Sequence, residues 1–179
     1  MTNLFRIVFV LGLATAMMFG CAGKSNNETQ NEASASAKNA DEQKYQILKT
    51  ATFTDLEGNT RSLSEFEGKI IMLDLWATWC GPCIGSFPAL ERLTKEYPDD
   101  FAVVAISDEE MATVQDFLSR KDYSFQFGVN EDLSRKLGVR SIPHKIFLDR
   151  DGTYLKTSVG SYSAEGDYRE IKKFLEANL

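Results

Sequence analysis

The residues best suited to chemistry are Cys80 and Cys83, which are separated by two residues in the stretch WATWCGPC. Cysteines at this spacing can exchange electrons with the disulfide of another protein, supply half of a zinc site or form a structural disulfide. Zinc needs four ligands, and only His144 and Cys21 remain among the histidines and cysteines. A disulfide across so short a loop constrains little of the unfolded chain and contributes little stability. Thiol-disulfide exchange is therefore the favoured chemistry.

The two cysteines stand where a buried strand is predicted to pass into a helix. Lys69–Ala77 (KIIMLDLWA) is a nearly continuous apolar run, typical of a strand covered on both faces. Apolar residues at helical spacing follow, so Cys80 is placed at a helix N-terminus, where unpaired N–H groups and the helix dipole stabilise an anion. Pro82 fits the first turn, where its missing N–H costs nothing. We therefore expect Cys80 to be an exposed thiolate that attacks disulfides, with Cys83 on the more buried side.

Strands and helices alternate along Tyr45–Leu179, which we interpret as one domain without an internal repeat. A hairpin is predicted at Lys49–Thr60, and the last two strands form a second hairpin that turns at Arg150–Gly152. This order indicates an α/β fold with a mixed sheet. The remaining predicted elements are strands at 101–107 and 125–130, and helices at 111–122, 131–139 and near 168–175.

Several segments around the cysteines resemble the thioredoxin superfamily, and in particular its membrane-tethered TlpA-like branch. Asp74–Trp79 (DLWATW) resembles the strand that leads into the thioredoxin site, and Pro88 matches the family's helix-kinking proline. Gly138–Pro143 (GVRSIP) resembles the segment that carries its cis-proline. The TlpA-like branch is indicated by Gly58–Lys69 (GNTRSLSEFEGK) and by an extra helix and strand within Glu109–Asn130.

The resemblance covers essentially all of Tyr45–Leu179 and implies both a fold and an activity. The implied fold is a thioredoxin fold, with a central mixed sheet flanked by helices, an N-terminal β-hairpin and an extra inserted helix and strand. The implied activity is that of a thiol-disulfide oxidoreductase whose only redox group is the Cys80–Cys83 disulfide, with no cofactor or metal. Gly81-Pro82 between the cysteines resembles reducing members of the family. The implied partners are disulfides of exported proteins, with apocytochrome c as a candidate, and a membrane-bound electron donor.

The resemblance also implies a surface that binds substrate. Pro143 is expected to form a cis peptide opposite the dithiol, leaving the backbone of Ile142 free to pair with an extended substrate. Trp79 is expected beside the active site, although a Trp at the end of a buried strand can equally be part of the core. The complete predicted substrate-binding set is Trp79, Gly81, Pro82, Ile142 and Pro143.

Asp74 is the other residue to which we assign a catalytic role. A charged side chain within an apolar strand is costly unless it is paired or protonated, so we expect a raised pKa. The resemblance implies that Asp74 lies beneath the cysteines and accepts the proton of Cys83. The alternative is that it faces a polar loop. One departure from thioredoxin is that the strand Phe101–Ser107 (FAVVAIS) carries no lysine to pair with this acid.

His144, the only histidine, directly follows Pro143. It could lie near enough to affect the cysteines, but strand alternation offers it a position on the opposite face of the sheet. We therefore favour a structural role for His144.

The start of the chain indicates export. An apolar run from Ile7 to Phe19 follows Arg6, and Gly20 precedes Cys21. The run is shorter than the roughly 20 apolar residues that span a bilayer, and it resembles a bacterial lipoprotein signal. The resemblance implies that residues 1–20 are a signal peptide, cleaved before Cys21, which is then lipidated. An uncleaved membrane anchor with an idle Cys21 is the alternative.

Residues 21–44 contain no aromatic or large aliphatic side chain, so they cannot bury enough apolar surface to fold and are predicted to be a disordered tether. The expected location is the bacterial cell envelope, facing the periplasm and held by a lipid anchor. Ala22 and Gly23 provide no acidic retention signal after Cys21, which favours the outer membrane. The net charge of −6 argues against nucleic acid as a partner, because phosphates require a basic face.

Two other functions fit parts of the sequence. A peroxiredoxin-like peroxidase would centre on one peroxide-reactive cysteine, whereas this chain supplies a full pair. A non-catalytic module would use the groove beside Pro143 to hold thiol proteins without turnover.

Overall fold

The computed structural model describes residues 46–179, in which one seven-stranded sheet carries helices on both faces. The predicted signal peptide (1–20), the predicted tether (21–44) and Cys21 lie outside these residues. The strands are β1 (Thr52–Asp55), β2 (Thr60–Ser62), β3 (Ile70–Trp76), β4 (Phe101–Ser107), β5 (Gln126–Val129), β6 (His144–Leu148) and β7 (Tyr154–Val159). The helices are α1 (Gly81–Glu96), α2 (Met111–Leu118), α3 (Leu133–Lys136) and α4 (Ala164–Glu176), with a 3-10 helix at Leu63–Phe66.

The strand order is β2-β1-β5-β4-β3-β6-β7. The central strands β3 and β4 run parallel and are buried along their whole length, as their apolar runs predict. β6 pairs antiparallel with the other edge of β3, and β7 pairs antiparallel with β6. The predicted mixed sheet, entrance hairpin and inserted helix and strand are therefore confirmed, and the fold is that of thioredoxin.

Side chains of β3 alternate between two cores. Ile70, Met72 and Trp76 point into the core that contains both Cys80 and Cys83. The intervening residues Ile71, Leu73 and Leu75 point into a second core, built with the 3-10 helix and α3. The first core is bounded by α1, α2 and α4, and we call it the dithiol core.

An aromatic cluster fills the dithiol core beneath the loop that carries the cysteines. The rings of Trp76 and Phe87 meet edge to face, with centroids 5.0 Å apart. Phe127 lies 5.6 Å from each of these rings. Because Trp76 ends β3 and Phe87 lies in α1, these contacts fix how the helix leaves the strand.

Three predicted boundaries are wrong by several residues. The helix predicted at 111–122 ends at Leu118, because the following SRKD offers no apolar residue to bury. The helix predicted at 131–139 is reduced to Leu133–Lys136. Residues 46–49, in part assigned to the first hairpin, form a helical turn, and β1 begins only at Thr52.

Glycines with a positive φ form two of the turns. Gly138 ends the α3 region with a φ of 67°, a conformation that other residues rarely adopt. Gly152 turns the closing hairpin with a φ of 81°, and its N–H donates to the carbonyl of Asp149 at 2.9 Å. Within residues 46–179 we find no helix with the length and hydropathy of a transmembrane span.

Candidate active site

Cys80 and Cys83 are joined by a disulfide at the N-terminus of α1. Cys80 is the N-cap residue, and its Sγ accepts a hydrogen bond from the backbone N–H of Cys83 at 3.2 Å. Pro82 lies in the first turn, where no N–H is needed. The sulfur of Cys80 therefore occupies the position at which a helix stabilises negative charge.

The prediction that the sulfur of Cys80 is exposed is wrong for the disulfide form. Cys80 is only 4% exposed and Cys83 is fully buried. The reason is that the bond to Cys83 turns the sulfur of Cys80 towards the dithiol core, of which both residues are part. The difference in burial between the two cysteines still has the predicted direction.

Glu109, which is not among the predicted site residues, holds the loop that leads to Cys80. One carboxylate oxygen accepts from the backbone N–H of Thr78 and the other from the hydroxyl of Thr78, both at 2.7 Å. Ser107 also donates its hydroxyl to Glu109 at 2.9 Å. The parallel strands β3 and β4 end at the same edge of the sheet, so the residues that follow them meet there. The sequence feature that could have identified Glu109 is an acidic residue just after the second of two adjacent buried strands.

Asp74 is fully buried within β3, and neither of its carboxyl oxygens has a hydrogen-bond partner among the described residues. Side chains alternate along β3, so Asp74 lies on the same face as Met72 and Trp76. Its side chain therefore points into the dithiol core rather than towards a polar loop. Desolvation raises the pKa of Asp74 to about 7, while the charge of Lys145 lowers it and that of Asp167 raises it. The expected upward shift is confirmed.

Lys145 and Asp167 are two further buried charged residues that are not among the predicted site residues. Lys145 is 2% exposed and Asp167 is 3% exposed. The Nζ atom of Lys145 lies 3.6 Å from Oδ2 of Asp167. β4 supplies no lysine, as the sequence indicated, and the cation near Asp74 comes from β6 instead.

The Ile142–Pro143 peptide is cis, as the resemblance implies. Leu75 near the end of β3 pairs with His144 at the start of β6, so Pro143 lies at the same edge of the sheet as the loop that carries Cys80. The backbone N–H of Gly160 donates to the carbonyl of Pro143 at 2.8 Å. This bond ties the end of β7 to the proline.

Trp79 and Ile142 line a shallow groove of about 380 Å³. Trp79 is 73% exposed, so the alternative that it belongs to the core is wrong. The other lining residues are Trp76, Asp108, Ser134, Val139, Arg140 and Ser141. Gly81, Pro82 and Pro143 do not line this groove, so the structure brings together only part of the predicted substrate-binding set there.

His144 pairs with Leu75 on one side and with Val159 on the other. Leu75 points into the second core, and alternation along β6 places His144 on the face opposite to that of Lys145. This position agrees with a structural role for His144. Among residues 46–179, no group of three or more histidine, cysteine or acidic side chains could hold a metal ion.

Comparison with known proteins agrees with this site. The model of the Redoxin family matches residues 35–175. The chain is 32% identical over 143 residues to the thiol-disulfide oxidoreductase ResA of Bacillus thuringiensis, an alignment that covers 75% of this chain and 82% of ResA.

Two solved structures have the same fold. A thiol:disulfide interchange protein described as DsbE, from Chlorobium tepidum, is 28% identical with a TM-score of 0.65, covering 72% of this chain and 93% of that protein. The exposed lipoprotein thioredoxin Etrx1 of Streptococcus pneumoniae is 27% identical with a TM-score of 0.61, covering 71% of this chain and 98% of that protein. The chain thus belongs to the Redoxin family within the thioredoxin superfamily, as a TlpA-like thiol-disulfide oxidoreductase.

Proposed function

We propose that this thiol-disulfide oxidoreductase reduces disulfides of exported proteins in the bacterial cell envelope. The observation that carries the proposal is the Cys80–Cys83 disulfide at the N-terminus of α1, where the N–H of Cys83 already donates to the sulfur of Cys80. The same donor would stabilise a thiolate at Cys80 once the disulfide is reduced. Gly81-Pro82 between the cysteines, which resembles reducing members of the family, favours reduction over oxidation as the direction.

The exchange has two steps. The Cys80 thiolate attacks one sulfur of the substrate disulfide, forms a mixed disulfide and releases the other sulfur as a thiolate. Cys83 then loses its proton to Asp74 and attacks the sulfur of Cys80. This attack breaks the mixed disulfide, forms the Cys80–Cys83 disulfide and releases the second substrate sulfur as a thiolate, which takes the proton from Asp74. A membrane-bound dithiol donor would supply the two electrons and two protons that restore the reduced enzyme.

Substrate would lie beside the cis-proline. The backbone of Ile142 precedes the cis bond and lines the groove with Trp79, so an extended peptide there can pair with main chain while it contacts an exposed indole. Unfolded exported proteins, apocytochrome c among them, offer such extended segments around their cysteines. Pro143, Gly81 and Pro82 would border the sulfur that is attacked.

Lipidation of Cys21 would hold the enzyme at the membrane, with residues 21–44 as the tether. The lipoprotein-like signal at residues 1–20 supports this, and so does the similarity to the pneumococcal lipoprotein thioredoxin. In cells, we expect the wild-type protein to partition into detergent and to sediment with outer membranes, whereas Cys21→Ser remains in the aqueous phase. Equal partitioning of the two proteins would contradict lipidation.

Reduction of insulin in the presence of dithiothreitol tests the activity. Turnover by the wild type and its loss in Cys80→Ser would support exchange, whereas binding of insulin without turnover would support a binding module. Consumption of peroxide without reduction of insulin would support a peroxidase. The potential of the cysteine pair tests the direction, since a value near ~−270 mV indicates a reductase and one near ~−120 mV an oxidant.

A further inference from the structure

Three buried ionisable side chains lie between β3, β6 and α4. Asp74, Lys145 and Asp167 are each 3% exposed or less. Lys145 is the only lysine or arginine fully buried among residues 46–179. Burial of a long cationic side chain is costly unless it is compensated by partners, so the position of Lys145 needs a physical explanation.

Lys145 and Asp74 occupy directly paired positions of the antiparallel strands β6 and β3. Paired residues of adjacent strands project to the same face, so both side chains point into the dithiol core. Phe147, two residues after Lys145, belongs to that core, which agrees with this orientation. On the other side of Asp74, the paired residue of β4 is the uncharged Ala105.

Asp167 is the fixed partner of Lys145. Its Oδ2 atom accepts from the hydroxyl of Ser161 at 2.5 Å, and its Oδ1 atom accepts from the backbone N–H of Tyr162 at 3.2 Å. The ammonium of Lys145 donates to the carbonyl of Gly160 at 3.0 Å and lies 3.6 Å from Oδ2 of Asp167. These contacts hold the cation in place on the α4 side of the core.

Asp74 differs from both neighbours because it makes no hydrogen bond. Its ionisation is therefore governed by burial and by the charges that act on it through space, which are those of Lys145 and Asp167. In the reduced protein, α1 adds the thiol of Cys83, which shares the dithiol core.

We propose that Lys145 is a positioning residue that sets the charge state of Asp74 for accepting the proton of Cys83, and that Asp167 holds Lys145 and opposes its effect. This proposal rests on the exchange mechanism given above. The lysine that β4 lacks is thus supplied by β6, with a second carboxylate to moderate it.

Lys145 and Asp167 are expected to have opposite effects on the ionisation of Asp74. Removal of the positive charge in Lys145→Met leaves Asp74 harder to ionise, so the carboxylate needed as proton acceptor forms only at higher pH. Removal of the negative charge in Asp167→Asn leaves Lys145 to act on Asp74 alone, so the carboxylate forms at lower pH. A purely structural role for the cluster would not separate the two variants in this way.

A single-turnover reaction isolates the step concerned. The fully reduced protein is mixed with a disulfide-linked peptide whose two halves carry different fluorophores. Attack by Cys80 releases the first half, and attack by Cys83 releases the second, so the second phase reports resolution. Its rate is measured from pH 5 to pH 9.

We expect the second-phase rate of the wild type to rise through a midpoint near pH 7. The midpoint should move up by roughly one pH unit in Lys145→Met and should move down in Asp167→Asn. Lys145→Arg, which keeps the charge, should stay near the wild type, and Lys145→Gln removes the charge if Lys145→Met does not fold. The matched control is Lys156→Met, which removes a cation 3.8 Å from Glu170 across the neighbouring β7–α4 contact and should leave the midpoint unchanged.

The first phase should remain normal in all variants. If it does, the role of Lys145 is overturned by midpoints that do not move, or that move in the same direction in Lys145→Met and Asp167→Asn. Absence of the first phase in the wild type would instead overturn the exchange mechanism itself. The two failures are therefore distinguishable in one data set.

Discussion

Both carboxylate oxygens of Glu109 accept hydrogen bonds from Thr78, one from its backbone N–H and one from its hydroxyl, each at 2.7 Å. Thr78 lies two residues before Cys80, so this contact fixes the loop that delivers the attacking sulfur to the helix N-terminus. The contact joins the ends of β3 and β4 and acts as a clamp on the active-site loop.

Replacement of Glu109 by alanine should weaken both folding and turnover. A backbone N–H and a hydroxyl lose a charged acceptor in a half-buried loop, which costs about 1.5 to 3 kcal/mol of unfolding free energy. Urea unfolding and insulin reduction measure the two effects. Glu110→Ala is the matched control, because Glu110 is exposed and makes no side-chain cap hydrogen bond. Equal losses in the two variants would show that the clamp has no role.

Asp74→Asn should change how the stability of the oxidised protein depends on pH. Burial raises the pKa of Asp74 from 3.8 to about 7, so the folded state binds more protons than the unfolded state between these values. Wild-type stability therefore declines as pH rises from about 4 through 7, by at most about 4 kcal/mol, and Asp74→Asn lacks this decline. We therefore expect the stability of Asp74→Asn, relative to that of the wild type, to be greater at pH 8 than at pH 4.5.

Urea unfolding at the two pH values provides the comparison. Asp99→Asn serves as the control because Asp99 is exposed on the surface. A difference between Asp74→Asn and wild type that is the same at both pH values would mean that Asp74 is not protonated in the folded protein at low pH.

Gly128→Ala tests the packing of the inserted strand against the entrance hairpin. A Cβ at this position would meet Cδ2 of Phe53 at 2.4 Å and the carbonyl oxygen of Thr54 at 2.7 Å, and the backbone oxygen cannot move aside cheaply. We expect a loss of about 1 to 3 kcal/mol in thermal or urea unfolding. Gly85→Ala in α1 meets nothing within 4 Å and should be neutral or stabilising. If both substitutions were neutral, β1 and β5 would not be in the described register.

Cys83→Ser should trap the enzyme on its substrate. Without the resolving thiol, the mixed disulfide that forms when Cys80 attacks a substrate disulfide persists, and it should be visible as a reductant-sensitive band on a non-reducing gel. The double variant Cys80→Ser/Cys83→Ser is the control and should trap nothing. Adducts of equal yield in the control would assign the attack to another group.

The strands, the closing hairpin and the location of the cysteines could be predicted because each depends on residues close in sequence. The apolar run of β3 and the first turn after Cys80 together define a helix that starts at the reactive sulfur. The burial of Asp74 could be predicted for the same reason, since apolar residues surround it in the strand.

The partners of these residues could not be predicted, because they depend on strand order. Lys145 is paired with Asp74 only because β6 lies next to β3, and Glu109 binds Thr78 only because β4 lies on the other side. The exposure of Cys80 was predicted wrongly because it depends on the disulfide and on the packing of the dithiol core rather than on the local helix.

The pH dependence of alkylation of the reduced protein by iodoacetamide tests the central claim most directly, namely that the helix N-terminus holds Cys80 as a thiolate. The mechanism predicts rapid alkylation at Cys80 with a midpoint near pH ~7, absent in Cys80→Ser, because peptide N–H groups stabilise the sulfur anion. A midpoint at or above pH ~8.5, the value of an ordinary thiol, would contradict it.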